Sequence, residues 1–285
     1  QELECNFNAS GETVIHPEDL ERLVFGVKEP MYRTGFDRNL WLWEQYNPEA
    51  TYMMSADVAR GDGADFSVFH IVKLETMEVV GEYRGKPNLE EFASILDSTG
   101  REFGNCLLVV ENNSLGISIL EKLQDRSYPN LYFSIKGTHE YIDQLRAESI
   151  NNSVPGFTTS SKTRPLIVAK MEEFIRNKLI TIYSSRIVDE FKTFIWNNNK
   201  AQAMRSYHDD LVMALAIACW VRDTALEVNK KDLQYKRAMM DSMKLNTRQI
   251  KTTIPGMEGH RQGVWNDNAK KEMQQHKDFI WLIKG

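Results

Sequence analysis

Residues 52–84, YMMSADVARGDGADFSVFHIVKLETMEVVGEYR, decide the reading of the fold. Tyr52–Val58, Phe66–Leu74 and Met77–Arg84 are short apolar runs rich in the β-branched and aromatic residues that fill strands. The Gly- and Asp-rich turn ARGDGAD separates the first two, and only Glu75 and Thr76 separate the last two, so the spacing predicts three antiparallel strands in a row. Further on, Asn88 is placed to cap a helix over 89–102. Cys106–Val110 is a run of the kind buried on both faces of a sheet. Ile117, Leu120 and Leu123 form one stripe of a helix over 114–125, and Leu131–Ile135 is another short strand. The predicted order is βββαβαβ, a mixed α/β sheet flanked by helices.

Beyond it, residues 136–164 hold Gly137, Pro155, Gly156 and many Ser, Thr and Asn, which predicts a long surface connection. Pro165 suits the first turn of a helix reaching Lys178, Leu179–Tyr183 has strand character, and Val188–Trp196 looks helical. Residues 209–222 contain LVMALAIACW and predict a largely buried helix. Upstream, a helix is expected over His16–Leu23 with Pro17 in its first turn. The rest of residues 1–50 mixes turn signals with Trp41, Trp43 and Tyr46. We therefore expect a lead-in over 1–50, an α/β domain over 51–224, and a basic extension over 225–285 with a helix near 230–245. With Gln in place of Met at its first residue, the chain is expected to be a processed product or an excised piece of something longer.

Composition narrows the function classes. With 285 residues, 42% hydrophobic and 26% charged, the chain can bury a sizeable core, which excludes wholesale disorder. No run of about 18 apolar residues offers a membrane span, and the N-terminus has no signal-peptide profile. Cys5, Cys106 and Cys219 are too few and too far apart for a disulfide framework or a CxxC site, which fits a reducing cytoplasm. The net charge of −5 argues at first against a nucleic-acid partner. Its distribution weakens that argument: residues 1–50 carry 4 basic and 10 acidic side chains, whereas residues 225–285 carry 12 and 7.

Acidic residues interrupt apolar elements at three places. Asp57 ends the first strand, Glu111 ends LLVVE, and Asp210, beside Asp209, opens the apolar helix. Singly, each reads as well as a turn residue or a helix cap. If the first strand neighbours the fourth, Asp57 and Glu111 project at one sheet edge, and a helix crossing that edge brings Asp210 to both. Carboxylates gathered so closely need cations to stay ionised. Oxygen-only ligands suit Mg²⁺ or Mn²⁺, and two such ions about 3.5 to 4 Å apart serve in-line phosphoryl displacement.

At this point YMMSADVARGDGADFSVFHIV, LLVVENNSLGISILEKL and YHDDLVMALAIACW resemble the three acidic motifs of the nuclease domain of the large terminase subunit of tailed bacteriophages, nearest to the T-even-like ones. SGETVIHPEDLERL also looks like the segment that follows the packaging ATPase in those proteins. The resemblance covers residues 51–222. It implies an RNase H-like (retroviral integrase superfamily) fold and Mg²⁺- or Mn²⁺-dependent cutting of concatemeric double-stranded viral DNA. It places the metal ligands on Asp57, Glu111 and Asp210, makes Asp209 an auxiliary ligand or capping acid, and sets Asp65 on a further acidic position of the first motif. Implied partners are the terminase ATPase domain, the portal protein and the small terminase subunit, in the host cytoplasm and without a membrane. No GxxxxGK[ST] occurs, so no ATPase activity is expected of this chain.

For DNA contacts the sequence offers Lys136 after the strand 131–135, Lys162 and Arg164 among hydroxyl residues ahead of a helix, and, less favourably placed, Arg60, Arg84 and Lys86. His208 precedes the acidic pair and could orient a water. Two other readings compete: a Holliday-junction resolvase or transposase-like nuclease using the same carboxylates, and a non-catalytic DNA or portal docking module in which they are caps.

Overall fold

The structure is a computed structural model in which residues 13–61, 63, 65–135, 141–142, 152–198 and 200–223 are described. Lys136, the rest of 137–140, residues 143–151, the helix expected near 230–245 and the whole 225–285 extension lie outside the described residues.

The three predicted strands form as β3 (Tyr52–Asp57), β4 (Ser67–Lys73) and β5 (Glu78–Gly85), paired antiparallel in the order they occur. After β5, Asn88 caps helix α2 (Leu89–Glu102): its side chain accepts from Glu91 N–H while the Glu91 carboxylate accepts from Asn88 N–H. Strand β6 (Leu107–Val110) then returns parallel to β3, with Met53 opposite Leu107 and Ala56 opposite Val110. Helix α3 (Ser114–Asp125) follows, and Leu131 bridges to Leu108 in parallel. The predicted strand 131–135 divides at this point. Its first residues accompany β6, while β7 (Phe133–Ile135) joins a small sheet with β8 (Tyr141–Ile142) and β9 (Ser153–Pro155). The connectivity is RNase H-like.

Upstream of β3, helix α1 (Pro17–Gly26) starts as expected at Pro17. Strands β1 (Tyr32–Thr34) and β2 (Leu40–Leu42) then pair onto β5, so the main sheet runs β1-β2-β5-β4-β3-β6. Part of the expected lead-in thus supplies the outer strands of the central sheet. Their brevity hid them, since three residues carry too little alternation to register.

Residues 153–157 also depart from expectation. In place of a surface connection, Phe157 is buried, its N–H donates to Val110 O, and its carbonyl accepts from Asn112 N–H. Helix α4 (Thr163–Arg176) follows, and Leu179–Tyr183 yields one bridge at Thr181 and no strand. The helix expected over 188–196 is displaced three residues towards the N-terminus, to α5 (Ser185–Thr193), capped by Ser184. Phe194 then opens the hairpin β10 (Phe194–Asn197) and β11 (Lys200–Ala203), where Asn198 turns the chain at φ 49°. The apolar helix α6 is present over 210–223.

Strand alternation divides the core between the two sheet faces. Met54, Ala56, Leu108 and Val110 pack with Phe92, Leu96 and Leu120 of α2 and α3. Met53, Val68, Val72, Leu107 and Val109 pack with α4, α5 and the whole apolar length of α6. Asp57 shares the parity of Met53, and Glu111 that of Leu107 and Val109. Both acids therefore point to the α6 face.

Candidate metal centre

On the α6 face the register sets side chains in rows across β3, β4 and β5. One row is Ser55, His70 and Glu82; the next, at the edge, is Asp57, Val68 and Arg84. The inner row ties helices to the sheet. Ser55 Oγ donates to Ala214 O at 2.8 Å, and His70 Nε2 donates to Leu211 O at 2.9 Å. Glu82 accepts from Ser184 Oγ at 2.6 Å and from Arg186 Nε at 2.7 Å. These buried polar bonds fix where α6 begins, and α6 begins with Asp210.

Asp57, Glu111 and Asp210 are brought together by this framework. Glu111 and Asp210 both lie close enough to Asp57 for their charges to act on its carboxyl. Burial, the most influential cause, then the negative charge of Glu111, hold the Asp57 carboxyl well above the usual carboxylate range. Asp210 is raised too, first by burial and then by Asp65 and Asp209, against the pull of the Phe66 N–H. Glu111 is 8% exposed.

Each acid commits one oxygen to a protein N–H. Asp57 Oδ1 accepts from Val58 N–H at 2.7 Å, Glu111 Oε2 from Asn113 Nδ2 at 3.0 Å, and Asp210 Oδ2 from Phe66 N–H at 2.9 Å. Such contacts orient a carboxylate for a ligand while leaving lone pairs open. Asn113 has a second duty, since its Oδ1 caps α3 through Leu115 and Gly116 N–H. Beside the trio, Asp65, His208 and Asp210 each place one donor atom within 4.8 Å of the others'. His208 Nδ1 stands 3.8 Å from both Asp65 Oδ1 and Asp210 Oδ2. Among the described residues, donor atoms gather within 4.8 Å at Asp65, His208 and Asp210, with Asp57 and Glu111 joined to Asp210 through their charges; a centre made mostly of carboxylates suits hard divalent cations.

The other residues singled out from the sequence are placed differently. Asp209 is paired with Arg164, Nη2 to Oδ2 at 2.5 Å, and Arg164 Nε also donates to Ala201 O at 3.3 Å. The charge of each is thereby engaged by the other. Lys162 is exposed in the turn ahead of α4, and Arg60 is exposed in the β3–β4 connection.

Three contributors were not singled out by the sequence. Glu190 of α5, buried at 5% exposure, accepts from Leu211 and Val212 N–H at 2.9 and 3.3 Å and so caps α6 from outside it. Phe157 braces the end of β6 through Val110 and Asn112. Phe66 supplies the N–H to Asp210, while its ring meets Arg84, Lys86 and His208. Glu190 alone left a signal, a carboxylate inside the apolar stripe IVDEF.

No protein-family model matches the sequence. Among solved structures, the large terminase nuclease of thermophilic phage G20c with bound magnesium is similar at a TM-score of 0.57 and 20% identity, covering 74% of this chain and 97% of that one. Its cobalt-bound form gives 0.56 and 20%, with the same coverage. The large terminase nuclease domain of Thermus phage P74-26 gives 0.52 and 20%, over 70% of this chain and 91% of that one. The chain has the fold of these nuclease domains, as the acidic motifs led us to expect.

Proposed function

We propose that this chain is a divalent-metal-dependent endonuclease that cuts double-stranded viral DNA during genome packaging. The observation that carries the reading is the approach of Asp57, Glu111 and Asp210, from β3, the end of β6 and the start of α6, whose charges together with burial raise the Asp57 carboxyl above its ordinary range. The fold shared with phage terminase nucleases supports it.

Asp57, Glu111 and Asp210 would hold the cations, two by our reading, with Asp65 and His208 as further donors beside Asp210. When bound, Mg²⁺ or Mn²⁺ lowers the pKa of an attacking water and stabilises charge on the leaving 3′ oxygen. The protein's own part is orientation. Val58 N–H, Asn113 and Phe66 N–H fix one oxygen of each acid, the Ser55 and His70 bonds fix α6 against the sheet, and the Glu190 bond fixes it against α5. Asp209 then acts indirectly, by anchoring Arg164 near the start of α6. Lys162 and Lys136 remain our candidates for phosphate contacts, which carry no base information and leave the cut with little sequence preference. The ATPase domain, portal and small terminase subunit are the partners proposed, at a procapsid in the host cytoplasm. Among the described residues no helix is long and apolar enough to cross a membrane.

Plasmid nicking in Mn²⁺ tests the assignment. Asp57→Asn, Glu111→Gln and Asp210→Asn should each reduce nicking by more than the roughly 10- to 100-fold that loss of an outer-shell partner costs, with unchanged circular dichroism. Wild-type nicking by any of the three would remove that residue from the site.

A further inference from the structure

Phe66 joins the carboxylates to a group of cations that the proposed chemistry leaves unused. Its backbone N–H holds Asp210, and its ring carries the Arg84 guanidinium at 4.1 Å and the Lys86 ammonium at 4.5 Å. The His208 ring meets it edge-on at 5.2 Å. Two permanent cations thus share one aromatic ring next to the centre, although like charges repel and a ring quadrupole offsets only about 0.5 to 2 kcal/mol per cation.

Neither cation has a carboxylate within hydrogen-bond reach among the described residues. For Arg84 the ion pair present is to Glu190 Oε1 at 3.8 Å, beyond hydrogen-bond reach, and its Nε is buried without a hydrogen-bond partner. Lys86 donates to Gly63 O at 3.0 Å and, among the described residues, enters no salt bridge. Arg84 nevertheless reaches solvent, with 22% of its side chain exposed, and Lys86 is exposed. The register explains why they belong to the site. Asp57, Val68 and Arg84 form one row on the α6 face, so two strand spacings of about 4.8 Å separate Arg84 from Asp57. A few nucleotides of DNA backbone span that distance.

We propose that Arg84 and Lys86, gathered on Phe66, grip a backbone phosphate of the DNA strand on the β5 side of the carboxylates. The inference rests on the nuclease reading and deepens it by naming a substrate contact. Arg84 offers a planar fork that suits phosphate oxygens, Lys86 adds a point charge, and Phe66 holds both in place. An arriving phosphate relieves their mutual repulsion, and its neighbour along the strand lies toward the metal ligands.

Binding of a short labelled duplex is measured by fluorescence anisotropy in Ca²⁺ across a salt series, using the full chain. Arg84→Gln and Lys86→Gln should each weaken binding and lower the steepness of log K against log salt, by up to the roughly 0.9 that one lost phosphate contact is worth, a loss the double variant reaches in full. Lys178→Gln, beyond the far end of α4, should match wild type. Arg84 also faces Glu190, so Lys86→Gln at its exposed position carries the test if Arg84→Gln fails to fold. Wild-type affinity and slope in Lys86→Gln would overturn the proposal. Nicking by Asp57→Asn at the wild-type rate would instead strike the nuclease reading, and leaves the binding result to be read separately.

Discussion

Glu190 shows how a single buried carboxyl ties the stability of the fold to the placement of Asp210. Burial pushes its carboxyl from 4.5 up to about 8, helped by the charge of Asp210 and opposed by Arg84 and the Val212 N–H. A raised acid contributes stability that is fully present below its unfolded value and is lost as pH rises through the folded one. For Glu190 the window runs from 4.5 to about 8, with a slope of up to ~1.4 kcal/mol per pH unit. Glu190→Gln keeps an acceptor for the Leu211 and Val212 N–H groups and cannot ionise. We expect its urea midpoint to fall behind the wild type by little at pH 5 and to exceed it at pH 8.5. A constant difference between the two proteins across that range would show that Glu190 does not titrate there.

At the scale of elements, the centre depends on how closely α3 can approach the end of β6. A Cβ added at Gly116 would stand 1.7 Å from the Glu111 carbonyl oxygen, a backbone atom that cannot swing aside. Gly116→Ala should therefore push α3 from the strand end and displace Glu111 and Asn113. The expected cost is roughly 1–3 kcal/mol of stability, together with loss of Mn²⁺-dependent nicking; unchanged melting would show that the turn accommodates the methyl group. The three long strands, α2 and α6 were legible because their apolar periodicity extends over several repeats, and Asp57, Glu111 and Asp210 because each interrupts such a run. Strands β1, β2, β10 and β11 were not, since three or four residues define no period. Neither were Phe157 and the Phe66 N–H, whose work is done by backbone groups that any residue carries. Arg164 was legible as a cation near the site, but its partner Asp209 depends on the approach of α4 to α6, which sequence spacing does not reveal.

For the whole molecule, the net charge of −5 hides a local arrangement in which carboxyls crowd one sheet edge with cations beside them. Asp57 and Asp210 both have raised folded values, so each contributes stability that is present below about 3.8 and lost as pH rises through the folded value. Without cations the protein should thus become less stable as it approaches neutrality, and divalent ions that bind the ionised cluster should reverse the trend. At 100 times its dissociation constant a ligand adds about 2.7 kcal/mol. At ~2–4 °C per kcal/mol for a domain of this size, that is a rise in Tm of about 5–10 °C. Differential scanning fluorimetry with and without Mn²⁺ at pH 5 and pH 7.5 measures it, and the increment should be larger at the higher pH. Asp57→Asn removes a strained acid, so it should melt higher than the wild type in EDTA and gain little from Mn²⁺. Stability of this kind, gained by losing a metal ligand, is what a cluster assembled for cation binding implies. An equal Mn²⁺ increment in Asp57→Asn would mean that the ion binds elsewhere on the chain.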